Sequence, residues 1–283
     1  MPGQNIQWFP GHMAKTRRMI SENLSNVDIV IELLDARIPK SSKNPEIKRL
    51  VGTKPMVSLL NKSSLADPDM TARFKRRMEE EGQGVIVTDC ISGHGLGDIE
   101  PKIREVLHEK LERYDSKGMS GRAVKAMILG IPNVGKSSLI NRLCGFKKAA
   151  VEDRPGVTLQ KQWVKTNIGI ELLDMPGVLW PKFDDRTVAE NLAITGAIKD
   201  DVLYLDDITI ALLERLRERY PAKLAERYKL SDVDMTPVEL LEAIGRKRGF
   251  LVSGGEVDYD RCCITILDEL RGGKIGRITL DIL

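Results

Sequence analysis

A chain of 283 residues with 42% hydrophobic content can bury one large core or two modest ones, and we expect two domains. Lys and Arg outnumber Asp and Glu only by 44 to 41, which excludes a uniformly basic nucleic-acid coat. The split is uneven, with 28 basic against 21 acidic residues up to Pro181 and 16 against 20 from Lys182 onward, so attraction to phosphate favours the front part.

Short runs of Val, Ile and Leu alternate with segments of helical period, the pattern of strands and crossover helices in a mainly parallel sheet with helices on both faces. In chain order, strands are expected at Ile29–Leu34, Pro55–Leu60, Val85–Thr88, Ala126–Leu129, Trp163–Lys165 and Ile170–Leu173, and helices at Thr71–Glu80, Leu96–Tyr114 and Lys136–Cys144. The polar stretch Asp115–Arg122 reads as a joint between two parts of one sheet. Beyond Pro181 the strand signal fades. Helical spacing at Ile208–Tyr220, Pro237–Lys247 and Arg261–Leu270 predicts a smaller, mostly α-helical domain over residues 182–283, after an α/β domain over 1–181. Thr236, Pro237 and Glu239 have the composition of a capped helix start. Cys90, Cys144, Cys262 and Cys263 have no metal-ligand spacing, and the adjacent pair argues against a disulfide framework, so a reducing, cytoplasmic compartment is expected. No run of 18 apolar residues occurs, and no apolar stretch follows Lys15, Arg17 and Arg18, so neither membrane insertion nor secretion is expected.

Gly130-Ile131-Pro132-Asn133-Val134-Gly135-Lys136-Ser137 lies between an expected strand and an expected helix, the context in which backbone N–H groups and a helix dipole cradle phosphates. Lys136 would hold the β- and γ-phosphates and Ser137 a Mg²⁺ ion, with Val134, Gly135 and Ser138 completing the wrap. Asp174-Met175-Pro176-Gly177 ends the next apolar strand, where the carboxylate reaches the metal shell and the Gly177 N–H the γ-phosphate. Between them, Thr158 in the turn-rich Asp153–Thr158 loop offers a further hydroxyl to the metal.

Asn61-Lys62-Ser63-Ser64 resembles the N-K-x-D motif of guanine-nucleotide proteins, but a serine occupies the fourth place. An aspartate there accepts two hydrogen bonds from guanine, and the Ser64 hydroxyl replaces only part of that contact, a loss of about 1.5–3 kcal/mol. Asp67 is close enough in sequence to substitute. Asp89-Cys90-Ile91-Ser92-Gly93-His94-Gly95-Leu96, after an expected strand and before an expected helix, resembles the S-A-x-x-G loop behind the base, with Ser92 and Gly93 as candidate contacts. Both segments precede the phosphate loop, the reverse of the common order.

These motifs, with Trp8-Phe9-Pro10-Gly11-His12-Met13, Asp35-Ala36-Arg37-Ile38-Pro39 and Ala197-Ile198-Lys199, make the chain resemble the circularly permuted P-loop GTPases, specifically the bacterial ribosome biogenesis GTPase A family. The resemblance implies GTP hydrolysis to GDP and phosphate during assembly of the large ribosomal subunit. It also implies contact with precursor rRNA, a monomer, and K⁺ bound at Asn133. The alternative is a nucleotide-gated RNA or ribosome binding module with little hydrolysis of its own or relaxed base choice. Where many G proteins place a water-orienting glutamine after the D-x-x-G glycine, this chain has Val178. His12 is therefore the candidate catalytic side chain beside Lys136 and Gly177, unless Trp8, Phe9 and His12 only tack the N-terminus down. Arg246-Lys247-Arg248 and Lys15, Arg17 and Arg18 are the candidate basic patches, each of which can also be a solvated helix face.

Overall fold

The computed structural model describes residues 11–119, 121–145 and 162–283, with the side chain of His12 excepted. Among these residues six strands form one sheet: β1 (Ile29–Asp35), β2 (Met56–Asn61), β3 (Gly84–Val87), β4 (Val124–Gly130), β5 (Gln162–Lys165) and β6 (Ile170–Asp174). Their spatial order is β3-β2-β1-β4-β6-β5; all pairings are parallel except that of β5 with β6. Every residue of β1 is buried, Glu32 and Asp35 included, and the other five are Ile, Val or Leu: a central parallel strand is covered on both faces. The chain leaves β1 toward β2 on one side and returns at β4 on the other. That reversal opens a crevice beyond the carboxyl ends of β1 and β4, where open α/β sheets bind ligands.

The helices of this region are α1 (Gly11–Asn23), α2 (Pro45–Val51), α3 (Pro68–Glu80), α4 (Ile99–Val106), α5 (His108–Asp115) and α6 (Lys136–Cys144). The single helix expected at Leu96–Tyr114 is instead a 3₁₀ turn at Leu96–Asp98 followed by α4 and α5, which part at Leu107. Ile99, Ile103 and Leu107 are buried in succession. Beyond them α5 is drawn aside because Lys110 and Tyr114 both bind Asp28, at 2.7 and 3.1 Å.

After β6 come α7 (Arg186–Ile194), α8 (Leu205–Arg219), α9 (Pro221–Tyr228), α10 (Pro237–Arg248) and α11 (Tyr259–Arg271), which bear out the mostly helical tail. The expected capping box is present: the Thr236 hydroxyl accepts from the Glu239 N–H, and the Glu239 carboxylate accepts from the Thr236 N–H. The connection into the tail is packed, with Val178, Leu179, Trp180 and Phe183 buried and the two rings edge-on at 5.0 Å. One continuous apolar cluster runs from sheet residues such as Leu129 to tail residues such as Leu267.

The last residues return to the sheet. Leu280 N–H donates to the Arg37 carbonyl and Ile278 N–H to that of Leu65. The buried Asp281 carboxylate accepts from the N–H groups of Lys40 and Ser41, both at 2.7 Å, from the Ser41 hydroxyl at 2.5 Å and from Asn191 at 2.9 Å. All four cysteines are buried thiols outside any disulfide, and among the described residues no helix is long and apolar enough to cross a membrane.

Candidate functional site

The phosphate loop runs from the end of β4 into α6. Gly135, at φ 105°, supplies a backbone state that L side chains rarely adopt, and a Cβ there would stand 2.4 Å from the Asn61 amide. Gly177 is required by proximity: a Cβ would lie 2.9 Å from Pro132 N and Cα and 3.1 Å from Lys136 Nζ. Only glycine lets the D-x-x-G segment lie against the loop. Lys136 is buried and donates to the carbonyls of Gly130 and Ile131, at 3.2 and 2.8 Å. Burial pushes its ammonium down to about 8, although Asp174 opposes the shift.

Asp174 ends β6 with both carboxylate oxygens buried and unbonded. Burial pushes its carboxyl up to about 6, against the pull of Lys136. A buried carboxylate with no donor is costly to a protein unless something binds it, and a divalent cation satisfies it. Ser137 lies half-buried in the first turn of α6, where the metal ligand of a phosphate loop belongs. The donor set of Ser137 and Asp174 therefore fits Mg²⁺. Thr158 lies outside the described residues, as does the His12 side chain.

Parallel pairing of β1, β2 and β4 brings the base-reading segment to the same edge. Asn61 ends β2; its amide donates to the Val134 carbonyl at 2.9 Å and its oxygen accepts from the Cys90 N–H at 3.2 Å, so one side chain ties the phosphate loop to the Asp89–Gly93 loop. Lys62 donates to the Asn133 carbonyl at 2.5 Å and lies 3.3 Å from Asp35. Lys62 and Asn133 both hold positive φ, at 61° and 56°, and strained backbone of this kind gathers at functional sites. The Asn133 side chain donates to the Gly196 carbonyl at 2.8 Å. Asp35 is buried, but Arg37 and Lys62 outweigh that burial and hold it far below the ordinary carboxylate range.

A cleft of about 310 Å³ lies between these pieces, lined by Asn61, Lys62, Ser64, Asp89 and Gly135 and closed on one side by Arg271 and Gly272 from the end of α11. Asp67 is not placed to replace the missing aspartate of N-K-x-D. Its carboxylate caps α3, accepting from the N–H groups of Asp69 and Met70. The carboxylate that meets Ser64 belongs to Asp89, a contact that the motifs taken singly do not reveal. The signal for it in the sequence is an aspartate standing in the serine place of S-A-x-x-G. Ser92 and Gly93 form the same loop; Asp89 accepts from the Ser92 N–H at 2.8 Å, and Gly93 has φ 88°. Val178 is buried, and its N–H donates to the Gly130 carbonyl at 3.2 Å. The basic patches are partly engaged: Arg17 pairs with Glu46, Arg18 with Glu22, Arg246 with Glu242 and Arg248 with Glu269.

A phosphate loop on the central strand, with the base-reading strand earlier in the chain, defines a circularly permuted P-loop GTPase. The sequence profile of the 50S ribosome-binding GTPase family matches residues 125–238. The ribosome biogenesis GTPase A of Bacillus pumilus is 48% identical over 98% of this chain and 98% of its own, and that of Priestia megaterium 49% over 98% and 96%. The solved GNP-bound YlqF from T. maritima is similar at 26% identity and a TM-score of 0.65, covering 94% of this chain and 97% of its own. A GDP-bound YlqF gives a TM-score of 0.68 at 26% identity over 93% and 98%. The chain belongs to the ribosome biogenesis GTPase A family.

Proposed function

We propose that this protein binds GTP and hydrolyses it to GDP and phosphate in the assembly of the large ribosomal subunit. The observation that carries this reading is the buried, unbonded Asp174 beside Lys136 and Gly177 at the mouth of the phosphate loop. That arrangement suits Mg²⁺ and the phosphates of a nucleotide. The names of the relatives supply the ribosomal setting. Lys136 exchanges the Gly130 and Ile131 carbonyls for the β- and γ-phosphates, and Val134, Gly135 and Ser138 present backbone N–H groups. Ser137 and Asp174, with Thr158, would hold Mg²⁺, which neutralises phosphate charge when bound. K⁺ at Asn133 belongs to the same proposal: the Asn133 amide would release the Gly196 carbonyl to meet the ion.

Hydrolysis needs a group to orient water. The buried Val178 is apolar, and we assign the role to His12. The helical part from 182 to 283 is proposed as a domain that touches precursor rRNA, with Lys247 the residue of the Arg246–Arg248 patch for which no ion pair is seen among the described residues. The protein is proposed to act as a cytoplasmic monomer away from membranes. The buried Val178 also favours a second reading, a nucleotide-gated ribosome-binding module with little hydrolysis of its own.

The test is titration of a fluorescent GDP analogue, followed by turnover with and without large-subunit precursors. Lys136→Ala should weaken binding by about 100-fold or more, as expected when a buried charge-assisted contact to phosphate is lost. Unchanged affinity would remove the phosphate loop from the function. His12→Ala should slow turnover while leaving binding intact; equal rates would return His12 to a tethering role. Turnover that stays negligible with precursors present would favour the second reading.

A further inference from the structure

We propose that Ser64 and Asp89 act together as the base-reading acceptor, a two-residue substitute for the single carboxylate that N-K-x-D proteins carry. The proposal rests on the guanine-nucleotide reading above and adds the residues that set base choice. Two departures from motif point to it. Serine stands where the aspartate of N-K-x-D belongs, and aspartate stands where the serine of S-A-x-x-G belongs. The two residues have in effect exchanged places, and β2 and β3 run side by side so that their carboxyl ends bring the pair into contact.

The geometry gives the exchange a chemical sense. The Ser64 hydroxyl donates to Asp89 Oδ2 at 2.5 Å, and the Ser64 N–H donates to the same oxygen at 3.2 Å. Oδ1 accepts from the N–H groups of Ile91 and Ser92, at 2.9 and 2.8 Å. Asp89 is 2% exposed, whereas Ser64 is open to the cleft that both residues line. A hydroxyl has one proton, and this one is given to the buried carboxylate, so the face that Ser64 turns to the cleft carries lone pairs only. The carboxylate behind it polarises the hydroxyl and fixes that orientation.

An acceptor-only surface selects among purines. Guanine offers an N1–H and a 2-amino group, both donors. Hypoxanthine keeps only the N1–H. Xanthine sets a carbonyl where the amino group was, and adenine sets an unprotonated N1 where the N–H was, so each places an acceptor against an acceptor. Asp89 is held in the ionised form that this arrangement requires. Burial raises its carboxyl, but the hydrogen bonds from Ser64 and Ser92 together outweigh burial and keep it below the ordinary value.

The experiment is a set of affinity titrations with GDP, IDP, XDP and ADP on the full chain and three variants. Ser64→Ala removes the hydroxyl and leaves the Asp89–loop contacts in place. It should weaken GDP by about tenfold or more and shrink the GDP-over-IDP preference. Ser64→Asp alone, although it restores the usual motif residue, presses two carboxylates together and should bind GDP more weakly than the wild type. Ser64→Asp with Asp89→Ser should recover GDP binding. Melting of each nucleotide-free variant checks folding, and the exposed Ser64 makes the alanine variant safe in this respect. An alanine variant with unchanged GDP affinity and base preference overturns the proposal, as does a single Ser64→Asp variant that binds GDP as tightly as the double variant. A wild type that binds no nucleotide, or binds GDP and ADP equally, defeats the guanine reading itself and is separable from either result.

Discussion

Lys136 and Asp174 illustrate how one buried pair ties pH to both stability and ligand binding. In the nucleotide-free protein the Lys136 ammonium titrates near 8 and the Asp174 carboxyl near 6. A lysine held below its unfolded value favours the folded state only once pH rises through about 8. Its stabilising effect is absent below that and complete above the ordinary lysine range. The raised carboxyl of Asp174 acts in the other sense: its contribution is complete below the unfolded carboxylate value and is lost as pH rises through about 6. Binding needs both charges. Affinity for Mg²⁺-GDP should therefore climb as pH rises through about 6, level off, and fall above about 8 as binding begins to require proton uptake. Calorimetry in buffers of different ionisation enthalpy would read the linked protons, and a flat profile from about pH 5 to 9 would contradict the assignment. At this scale Lys136, Asp174 and Gly177 were legible because each belongs to a motif closed within a few residues. The role of Asp89 was not, because its partner is 25 positions away and is reached only through the β2–β3 pairing.

The element scale shows why a helix can be read through a residue that weakens it. Gly245 sits inside α10, where glycine costs about 1 kcal/mol relative to alanine. The structure gives the reason, since a Cβ at Gly245 would stand 2.4 Å from Cγ1 of the buried Val257. Gly245→Ala should therefore destabilise the protein by about 1–3 kcal/mol despite its better helix propensity, because a β-branched valine cannot swing away. Adding Val257→Ala should recover part of that loss. Urea denaturation of the single and double variants measures both, and a stabilised single variant would show that α10 yields. Periodicity located α8, α10 and α11 to within a few residues, and the phosphate-loop motif placed α6, which has only 9 residues. Periodicity overlooked α2, α7 and α9, of 7, 9 and 8 residues, in which few turns accumulate and no such motif marks the start. The part at Leu107 was invisible for another reason: its cause is the distant Asp28.

For the whole molecule, the sheet and the permuted order could be read because apolar runs and motifs are local and their sequence is directional. The return of the last residues onto β1's loop could not. Residues 278–281 are a short mixed stretch, and nothing about Asp281 announces that Lys40, Ser41 and Asn191 await it. Replacing it should be severe. Asp281→Ala leaves the Lys40 and Ser41 N–H groups without this acceptor and should cost about 3 kcal/mol, a sum of modest unsatisfied-donor penalties. Thermal melting would show it, and a loss within about 0.5 kcal/mol would mean that water replaces the carboxylate.

The bond from Ser41 to Asp281 spans 240 positions of sequence. Contacts so remote form late, since the chain must first surrender the freedom of the intervening loop. Arg271 and Gly272, a few residues before that bond, wall the base cleft. Nucleotide capture should thus be among the final competences acquired on refolding, lagging the return of helical signal. GDP added during renaturation would then act as a reporter of finished molecules rather than as a template for unfinished ones.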